Sequence, residues 1–177
     1  MNTMKKQLNI NGKSQYAEDI YEKFRPSACG PVTARVILDQ FAPEVCPYDA
    51  NKLYTMLGST RIGLSKRRLI GNLRNLLGAG WTVADCTVEE VKRQIDRGYA
   101  VAAKFDKWFT FRWRGHYAFD YHWVPVIGYE ETDNDVMLII HDNGGRNRPS
   151  QVRQVSYKRN KPVLSFVKIE PKNLSTD

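Results

Sequence analysis

The chain has 177 residues, and 27 Lys and Arg against 19 Asp and Glu give it a formal net charge of +8. Hydrophobic residues make up 42% and charged residues 26%. This balance is typical of globular proteins and excludes a disordered chain, a collagen-like repeat and a coiled coil. The length favours one domain over residues 1–177, with a core large enough to be stable without disulfides or metals.

No apolar run approaches the ~20 residues that a membrane-spanning helix needs. Lys5 and Lys6 are followed by no apolar stretch, so the sequence predicts no secretory signal and a cytoplasmic protein, with secretion after removal of a signal left open. The three cysteines are odd in number, and the three histidines complete no ligand pattern. We therefore expect no disulfide framework, no bound metal and no other cofactor.

Four segments before Gly98 carry helix signals, after a polar N-terminal stretch that predicts no element. In the first, Val32, Val36 and Ile37 fall at helical spacing behind a proline that a first helical turn tolerates. The third has an apolar stripe with basic residues on its other faces, and the fourth begins with a capping-box signature at Thr87. The predicted helices span residues 30–42, 49–57, 65–78 and 88–97.

Beyond Gly98 the pattern changes to short apolar and β-branched runs separated by turn residues, which is typical of strands. Helices followed by strands indicate an α+β domain with a mostly antiparallel sheet. The predicted strands span residues 99–105, 122–129, 136–141, 152–157 and 163–169.

A nucleophile candidate lies where the N-terminal loop meets the first predicted helix, in the run Arg-Pro-Ser-Ala-Cys-Gly-Pro-Val. The unpaired N–H groups and partial positive charge of a helix start favour the thiolate form of Cys29. Gly30 permits close approach of backbone or of a substrate, and Pro31 gives up an N–H that would be unpaired here. The alternative is that Cys29 is a small core residue, because free cysteine is among the most buried residue types.

A base and a carboxylate are available among the predicted strands. His122 begins one strand, and Asp142, 20 residues later, follows the next strand in a Gly-rich turn. This separation suits a strand, a turn and an antiparallel return strand, which would bring the two side chains together. A carboxylate on one imidazole nitrogen fixes the tautomer and leaves the other nitrogen for a cysteine. His141 is the rival base, but neighbouring strand residues point to opposite faces.

Three motifs in this order resemble the papain-like cysteine peptidases of the bacteriocin-processing type, which cut a leader peptide after a double glycine, in a stand-alone bacterial form. The motifs are Cys-Gly-Pro at a helix start, His-Trp-Val-Pro-Val-Ile-Gly-Tyr, and an aspartate in a Gly-rich turn, within residues 25–170. The resemblance implies a papain-like α+β fold, in which an N-terminal helical half carries the cysteine helix and packs on a C-terminal antiparallel sheet. It also implies that Cys29 is the nucleophile, His122 the general acid and base, and Asp142 the orienting residue, with Asn143 as the alternative orienting residue.

The resemblance breaks at the position of one oxyanion-hole donor. The family has a glutamine six residues before the cysteine, and here that position is Lys23. Three interpretations stay open: Lys23 donates in place of the amide, Gln15 reaches the site along a longer loop, or the hole is incomplete. Loss of one such donor typically lowers turnover about 10²–10³-fold, so this position bears on whether the protein is active.

Residues 105–123 hold nine of the chain's 20 aromatic residues, with lysines and arginines interleaved among the first of them. Because this segment leads from a predicted strand to His122, we expect it near the mouth of the site, as a lid or groove wall for an extended peptide or as a partner-binding patch. Trp108, Trp113 and Trp123 are the candidate substrate-binding residues. The alternative is a hairpin whose aromatic side chains pair across strands and close the core.

The sequence therefore predicts a cysteine peptidase that cleaves a peptide or protein substrate through an acyl-enzyme and needs no cofactor. The alternative is a catalytically silent papain-like module that binds peptide or protein through residues 105–123, and Lys23 favours it. A third hypothesis is nucleic-acid binding. It is suggested by the charge of +8 and by a second basic run at residues 146–161, because basic surfaces bind phosphates. The sequence contains no nucleic-acid-binding motif, so nucleic acid is not an expected partner.

Overall fold

A seven-stranded sheet with helices on both faces organises residues 3–172, the part of the chain that this computed structural model describes. The helices are α1 (Cys29–Leu38), α2 (Ala50–Met56), α3 (Lys66–Leu77), α4 (Val88–Asp96) and α5 (Tyr157–Asn160). The strands are β1 (Lys5–Gln7), β2 (Trp81–Cys86), β3 (Val101–Asp106), β4 (Tyr121–Glu131), β5 (Val136–Asp142), β6 (Gln151–Ser156) and β7 (Leu164–Pro171). None of the helices within residues 3–172 has the length and apolarity to cross a membrane.

Six strands lie side by side in the order β2-β7-β3-β4-β5-β6, and β1 pairs with the far end of β4. All of these pairings between the named strands are antiparallel. The α+β class with an antiparallel sheet, predicted from the order of helix and strand signals, is therefore confirmed. The pairing of β4 with β5 is the hairpin that the spacing of His122 and Asp142 requires.

The central strands are buried on both faces because helices cover the two sides of the sheet. On one side, Trp123 and Ile127 of β4 belong to a core shared with α1 and α3. On the other side, Val124 and Val126 belong to a second core shared with α4. Successive strand residues point to opposite faces, so a strand buried on both sides reads as a continuous apolar run. This burial fixes the strands that carry the candidate histidine and aspartate.

The sequence located the four longer helices to within a few residues. At the start of α4, the Thr87 side chain accepts the N–H of Glu90, and the Glu90 carboxylate accepts the N–H of Thr87 at 2.8 Å, so the predicted capping box is confirmed. Helix α3 ends at Gly78, whose φ of +81° suits glycine. Helix α1 ends at Leu38, before the predicted end at residue 42, because residues 40 and 41 form tighter turn bonds to carbonyls three residues back.

Elements with little apolar signal were missed. Strand β1 has three exposed residues, and edge strand β2 pairs only with β7 and is half exposed along most of its length. Helix α5 has four residues and takes Tyr157, which the sequence assigned to the end of a strand. These elements are stabilised mainly by backbone hydrogen bonds. A prediction from hydrophobic periodicity does not detect such bonds.

Strand β1 lies against the backbone of β4 at Gly128. A Cβ atom on Gly128 would stand 2.4 Å from the carbonyl oxygen of Lys6 and 2.9 Å from the Cα of Gln7. No side chain fits at such distances from backbone atoms, so glycine is required for this pairing. The pairing anchors the N-terminal segment, which continues from β1 towards the candidate site.

We expect Gly128→Ala to lower the free energy of unfolding by about 1–3 kcal/mol, because β1 must move to admit the methyl group. Gly71 in α3 is the matched control, since nothing lies within 4 Å of its Cβ position. Gly71→Ala should raise the free energy of unfolding by up to about 1 kcal/mol through helix propensity. Urea unfolding followed by circular dichroism measures both changes, and effects of the same sign would contradict the close approach at Gly128.

Candidate active site

Cys29 is the first residue of α1 and is only 4% exposed. The first turn of α1 carries no acidic side chain, and its N-cap residue makes no side-chain hydrogen bond. The positive end of the helix dipole therefore acts on the thiol. Gly30 admits Leu64, whose Cβ would stand 2.9 Å from a Cβ on residue 30. Glycine at this position thus allows the segment that carries Leu64 to approach the helix start.

His122 and Asp142 come together across the paired strands β4 and β5. His122 Nε2 lies 3.1 Å from Asp142 Oδ1, and both side chains are buried. The other ring nitrogen, Nδ1, is not bonded to Asp142, and Cys29 lies close enough for its charge to act on the imidazole. The structure therefore brings the three predicted residues into one cluster, with the imidazole between sulfur and carboxylate.

The pKa values of the thiol and the imidazole shift in opposite directions. Burial alone raises the pKa of Cys29, but the hydrogen bond and charge of His122 outweigh it, so that this pKa lies below its ordinary value. Burial alone lowers the pKa of His122, but hydrogen bonds to Asp142 and Cys29 outweigh it and raise this pKa. Both shifts favour a thiolate beside an imidazolium, the form in which a cysteine is nucleophilic.

The Asp142 carboxylate is fully buried and accepts four hydrogen bonds. Its Oδ1 accepts from His122 and from the backbone N–H of Gly144, and its Oδ2 accepts from the guanidinium groups of Arg148 and Arg153. Burial raises the pKa of Asp142, but these partners outweigh it and hold the pKa at about 2. The carboxylate is therefore ionised at neutral pH, which the predicted orienting role requires.

The two arginines were not identified from the sequence as partners of Asp142, because they belong to the basic run at residues 146–161. Their guanidinium groups lie 5.4 Å (Arg148) and 5.0 Å (Arg153) from the centre of the Phe119 ring. That ring in turn lies 4.7 Å from the ring of His122. Phe119 thus packs beside both the arginines and the histidine.

Asn143, the alternative orienting residue, has a different position. Its Nδ2 donates to the carbonyl oxygen of Cys29 at 3.2 Å, to Thr33 Oγ1 at 2.9 Å and to the carbonyl oxygen of Trp123 at 2.8 Å. The side chain is fully buried. Asn143 therefore joins α1 to β4, and Asp142 is the residue that contacts His122.

The two candidates for the oxyanion hole lie in different environments. Lys23 is exposed, and its ammonium group lies 5.1 Å from the centre of the Phe24 ring. Gln15 is 5% exposed, its backbone N–H donates to the carbonyl of Asn143, and its Nε2 donates to the carbonyl of Arg25 at 2.7 Å. Gln15 Oε1 is buried and has no hydrogen-bond partner within residues 3–172. Of the two, Gln15 is therefore the residue packed into the protein beside the cluster.

A family model described as the Peptidase_C39 like family matches residues 7–170. The chain belongs to this family. Its fold is similar to that of the peptidase domain of Streptococcus ComA, a bifunctional ABC transporter involved in quorum sensing, with a TM-score of 0.52 and 16% identity over 82% of this chain and 92% of that one. It is also similar to a protein described as a C39-like peptidase from Bacillus anthracis, with a TM-score of 0.60 and 13% identity over 96% and 100% of the two chains. No curated protein matches.

These likenesses confirm the papain-like α+β fold and the resemblance drawn from the three motifs. The family match begins at residue 7, well before the motif around Cys29, and so includes Gln15. The N-terminal segment, which gave no sequence signal, is therefore part of this C39-like fold.

The candidate substrate-binding tryptophans of this C39-like chain divide into two groups. Trp123 is fully buried and donates its indole N–H to the carbonyl of Leu64 at 2.8 Å. It therefore packs in the core next to the site and has no exposed surface that a substrate could contact. Trp108 and Trp113 are 49% and 60% exposed in the loop that follows β3. Neither lines the groove described next, so the structure does not place them with the cluster.

A groove of about 870 Å³ opens beside the cluster, between α3 and the loop after β3. Phe109 and Tyr121 form one wall, and Ile62, Arg67 and Lys104 are among the other lining residues. Burial and the charge of Cys29 raise the pKa of Tyr121. The Tyr121 hydroxyl donates to the carbonyl oxygen of Leu64 at 3.0 Å, and Leu64 packs on Gly30 beside Cys29. Phe109 and Tyr121 belong to residues 105–123, which the sequence suggested as a lid or groove wall. The part of the groove formed by residues 60–72 was not predicted, because it comes from a segment distant in the sequence.

The rival base His141 faces away from this arrangement. Its ring packs on Gly12, where a Cβ would overlap it at 1.9 Å, and its Nδ1 lies 3.3 Å from Ser150 Oγ. Burial lowers the pKa of His141, which disfavours its charged form. Within residues 3–172, no group of three or more His, Cys, Asp or Glu side chains could hold a metal ion.

The low pKa of Asp142 predicts a pH-dependent contribution to stability. With a folded pKa of about 2 against a usual value of 3.8, ionised Asp142 stabilises the fold above about pH 4, and this stabilisation is lost as the pH falls towards 2. Asp142→Asn should therefore lower the free energy of unfolding by about 1–2 kcal/mol more at pH 7 than near pH 2. Arg153→Gln should show the same trend with a smaller amplitude, because it removes one of the partners that depress this pKa.

Urea unfolding of each variant and of the wild type, repeated across this pH range, measures the effect. Asp19→Asn is the control, since Asp19 is exposed and pairs only with Lys13. A stability difference for Asp142→Asn that is independent of pH would show that Asp142 is not held in its ionised form.

Proposed function

We propose that the protein is a cysteine peptidase that cleaves a peptide or other amide bond through Cys29, His122 and Asp142. The observation that carries this proposal is the buried imidazole of His122, bonded to Asp142 at 3.1 Å and in contact with Cys29 at the start of a helix. Membership of a peptidase-like family supports the same assignment. A core cysteine without function would need neither an imidazole partner nor a lowered pKa.

The reaction follows from the arrangement of these groups. The Cys29 thiolate attacks the substrate carbonyl, and the carbonyl oxygen becomes an oxyanion that the Cys29 backbone N–H stabilises. The imidazolium of His122 donates its proton to the leaving amine as the C–N bond breaks. Water, deprotonated by the neutral imidazole, then hydrolyses the acyl-enzyme and regenerates the thiolate. Asp142 holds the ring in one tautomer and stabilises its charged form throughout.

Gln15, rather than Lys23, is the side chain that we assign to the oxyanion hole. An amide nitrogen has two hydrogens, and Gln15 Nε2 uses one of them on the carbonyl of Arg25, four residues before the nucleophile. Within residues 3–172 the second hydrogen of Nε2 has no acceptor, which leaves it available to an oxyanion. The exposed Lys23 side chain would have to leave solvent to act in the hole.

The groove beside Tyr121 is the substrate-binding surface that best fits this proposal. Tyr121, one of its lining residues, lies near the proposed nucleophile Cys29. The groove has apolar and basic lining residues and no acidic one. An extended peptide suits such an open cleft. In this assignment Phe109 takes the role that the sequence suggested for Trp108 and Trp113.

Alkylation by iodoacetamide tests the thiolate–imidazolium pair. We expect Cys29 to react well below pH 7, because its pKa is lowered and that of His122 is raised. His122→Ala should abolish the low-pH reaction and shift alkylation towards the pH of an ordinary thiol, about 8.5. The rate is measured on the native protein by mass spectrometry of the peptide that contains Cys29.

Cys86 is an internal control in the same experiment. Burial and the nearby Glu90 raise its pKa to about 12, so it should stay unmodified at neutral pH. If Cys29 reacted only at alkaline pH, or if His122→Ala left its profile unchanged, the chain would be the catalytically silent module instead.

Acylation by p-nitrophenyl acetate tests the oxyanion hole separately. Formation of the acyl-enzyme passes through an oxyanion, whereas alkylation by iodoacetamide does not. Gln15→Ala should therefore lower the acylation rate by about 10²-fold and leave the alkylation rate unchanged. Lys23→Ala is the matched control and should change neither rate. A loss of acylation in Lys23→Ala, with Gln15→Ala active, would reassign the hole to Lys23.

A further inference from the structure

A loop between β3 and β4, residues 107–119, here named the aromatic loop, exposes large apolar rings in a short stretch. Within residues 3–172, nine large hydrophobic side chains are exposed, and four of them are in this loop: Trp108 (49%), Phe109 (64%), Phe111 (76%) and Trp113 (60%). Soluble surfaces seldom group such side chains unless the patch binds something. Only Phe109 lines the groove at the candidate active site.

Several polar groups of the aromatic loop are hydrogen-bonded within the loop or to the residue directly before it. The N–H of Phe109 donates to the Asp106 carboxylate at 2.8 Å, and the N–H of Arg112 donates to the carbonyl of Lys107 at 3.1 Å. The indole N–H of Trp113 donates to the carbonyl of Trp108 at 3.1 Å. A segment that enters an apolar medium must satisfy its polar groups internally. The aromatic loop meets part of this requirement, since the N–H groups of Phe109 and Arg112 and the indole of Trp113 are already bonded.

The tip of the loop is held in a strained shape. Phe111 has a φ of +58°, the one positive value for a non-glycine residue within residues 3–172. Such conformations persist where the surrounding structure imposes them, often at binding sites. The ring of Phe111, 76% exposed, lies 5.8 Å from that of Trp113, so the strained backbone presents a pair of rings to solvent.

The charge on this surface is positive. Between Asp106 and Asp120 the sequence has no acidic residue. Arg112 and Arg114 are exposed and form no ion pair with any residue of the described part of the chain. Exposed Lys161 lies close by, since the neighbouring Pro162 and Phe109 line one small cavity. Exposed aromatic rings among arginines and lysines are the composition that binds at the interface of anionic membranes.

We propose that the aromatic loop docks the protein on the surface of an anionic lipid bilayer, with Trp108, Phe111 and Trp113 in the interface and Arg112 and Arg114 on the headgroups. A bilayer accepts several separate rings at once, whereas a peptide in the groove reaches only Phe109. The proposal does not depend on the catalytic assignment. Because Phe109 belongs both to the loop and to the groove wall, docking places the groove beside the membrane surface.

Co-sedimentation with vesicles tests this proposal. The Cys29→Ala protein should bind vesicles of phosphatidylglycerol mixed with phosphatidylcholine more tightly than vesicles of phosphatidylcholine alone. On binding, the tryptophan emission should shift to the blue, chiefly through Trp108 and Trp113, since Trp123 is already buried. Use of Cys29→Ala separates the result from catalysis, since docking should not require the thiol.

Two double variants separate the apolar and ionic contributions. Phe111→Ser with Trp113→Ser should weaken vesicle binding about tenfold or more, through loss of apolar insertion. Arg112→Gln with Arg114→Gln should weaken vesicle binding by about fivefold for each arginine. This loss should be seen with the anionic vesicles only. Matched controls outside the loop are Tyr21→Ser with Val152→Ser, which are also exposed apolar residues, and Lys52→Gln with Arg93→Gln. Both controls should bind like the parent protein.

Three outcomes would overturn the proposal. The first is no binding to anionic vesicles. The second is binding that the Phe111→Ser, Trp113→Ser variant retains in full, which is mere adsorption of a chain with a charge of +8. The third outcome concerns Phe111→Ser with Trp113→Ser in the protein that keeps Cys29. In this outcome the double variant no longer cleaves denatured casein in the absence of lipid, while its vesicle binding is unchanged. That result would make the aromatic loop a peptide-binding surface.

Discussion

The hydrogen bond between His122 and Asp142 is the contact on which the rest of the site depends. The Asp142 carboxylate has no exposed surface and stays ionised because four donors, two of them arginines, bind it. An ionised carboxylate favours the imidazolium of His122, which in turn favours the thiolate of Cys29. The charges therefore alternate along the cluster, and burial strengthens each attraction because little water screens it.

A second set of contacts decides where the sulfur stands relative to the imidazole. The amide of Asn143, one residue after Asp142, bonds the Cys29 carbonyl at the start of α1 and the Trp123 carbonyl of β4. Leu64 packs on Gly30 while its carbonyl accepts the indole N–H of Trp123. The cysteine helix is thus fixed to the same strands that carry the histidine and aspartate. A rigid scaffold of this kind is what a nucleophile and its base require, since small displacements weaken catalysis strongly.

How far the sequence predicted the site depends on the range of the interaction. Cys29 was identified because a helix start is a local signal, and His122 with Asp142 because a hairpin relates two neighbouring strands. Arg148 and Arg153 were missed because exposed arginines and arginines on a buried carboxylate look alike in a sequence. Trp123 was grouped with Trp108 and Trp113 because composition does not distinguish a buried ring from an exposed one. The position of Gln15 follows from the pairing of β1 with β4. The sequence of β1, Lys5–Gln7, is polar and gives no strand signal, so this pairing could not be predicted.

The sequence by itself determined the α+β class, the four longer helices and the central strands, because apolar periodicity and capping residues act over a few neighbouring positions. It also indicated three residues that the fold brings together, and their catalytic roles and a peptidase activity stay predictions. Only the tertiary structure decided which partners surround Asp142, that Gln15 is buried and Lys23 exposed, and that a groove opens at Tyr121. Each of these depends on contacts between segments far apart in the chain, whose geometry is set when the helices pack on the sheet.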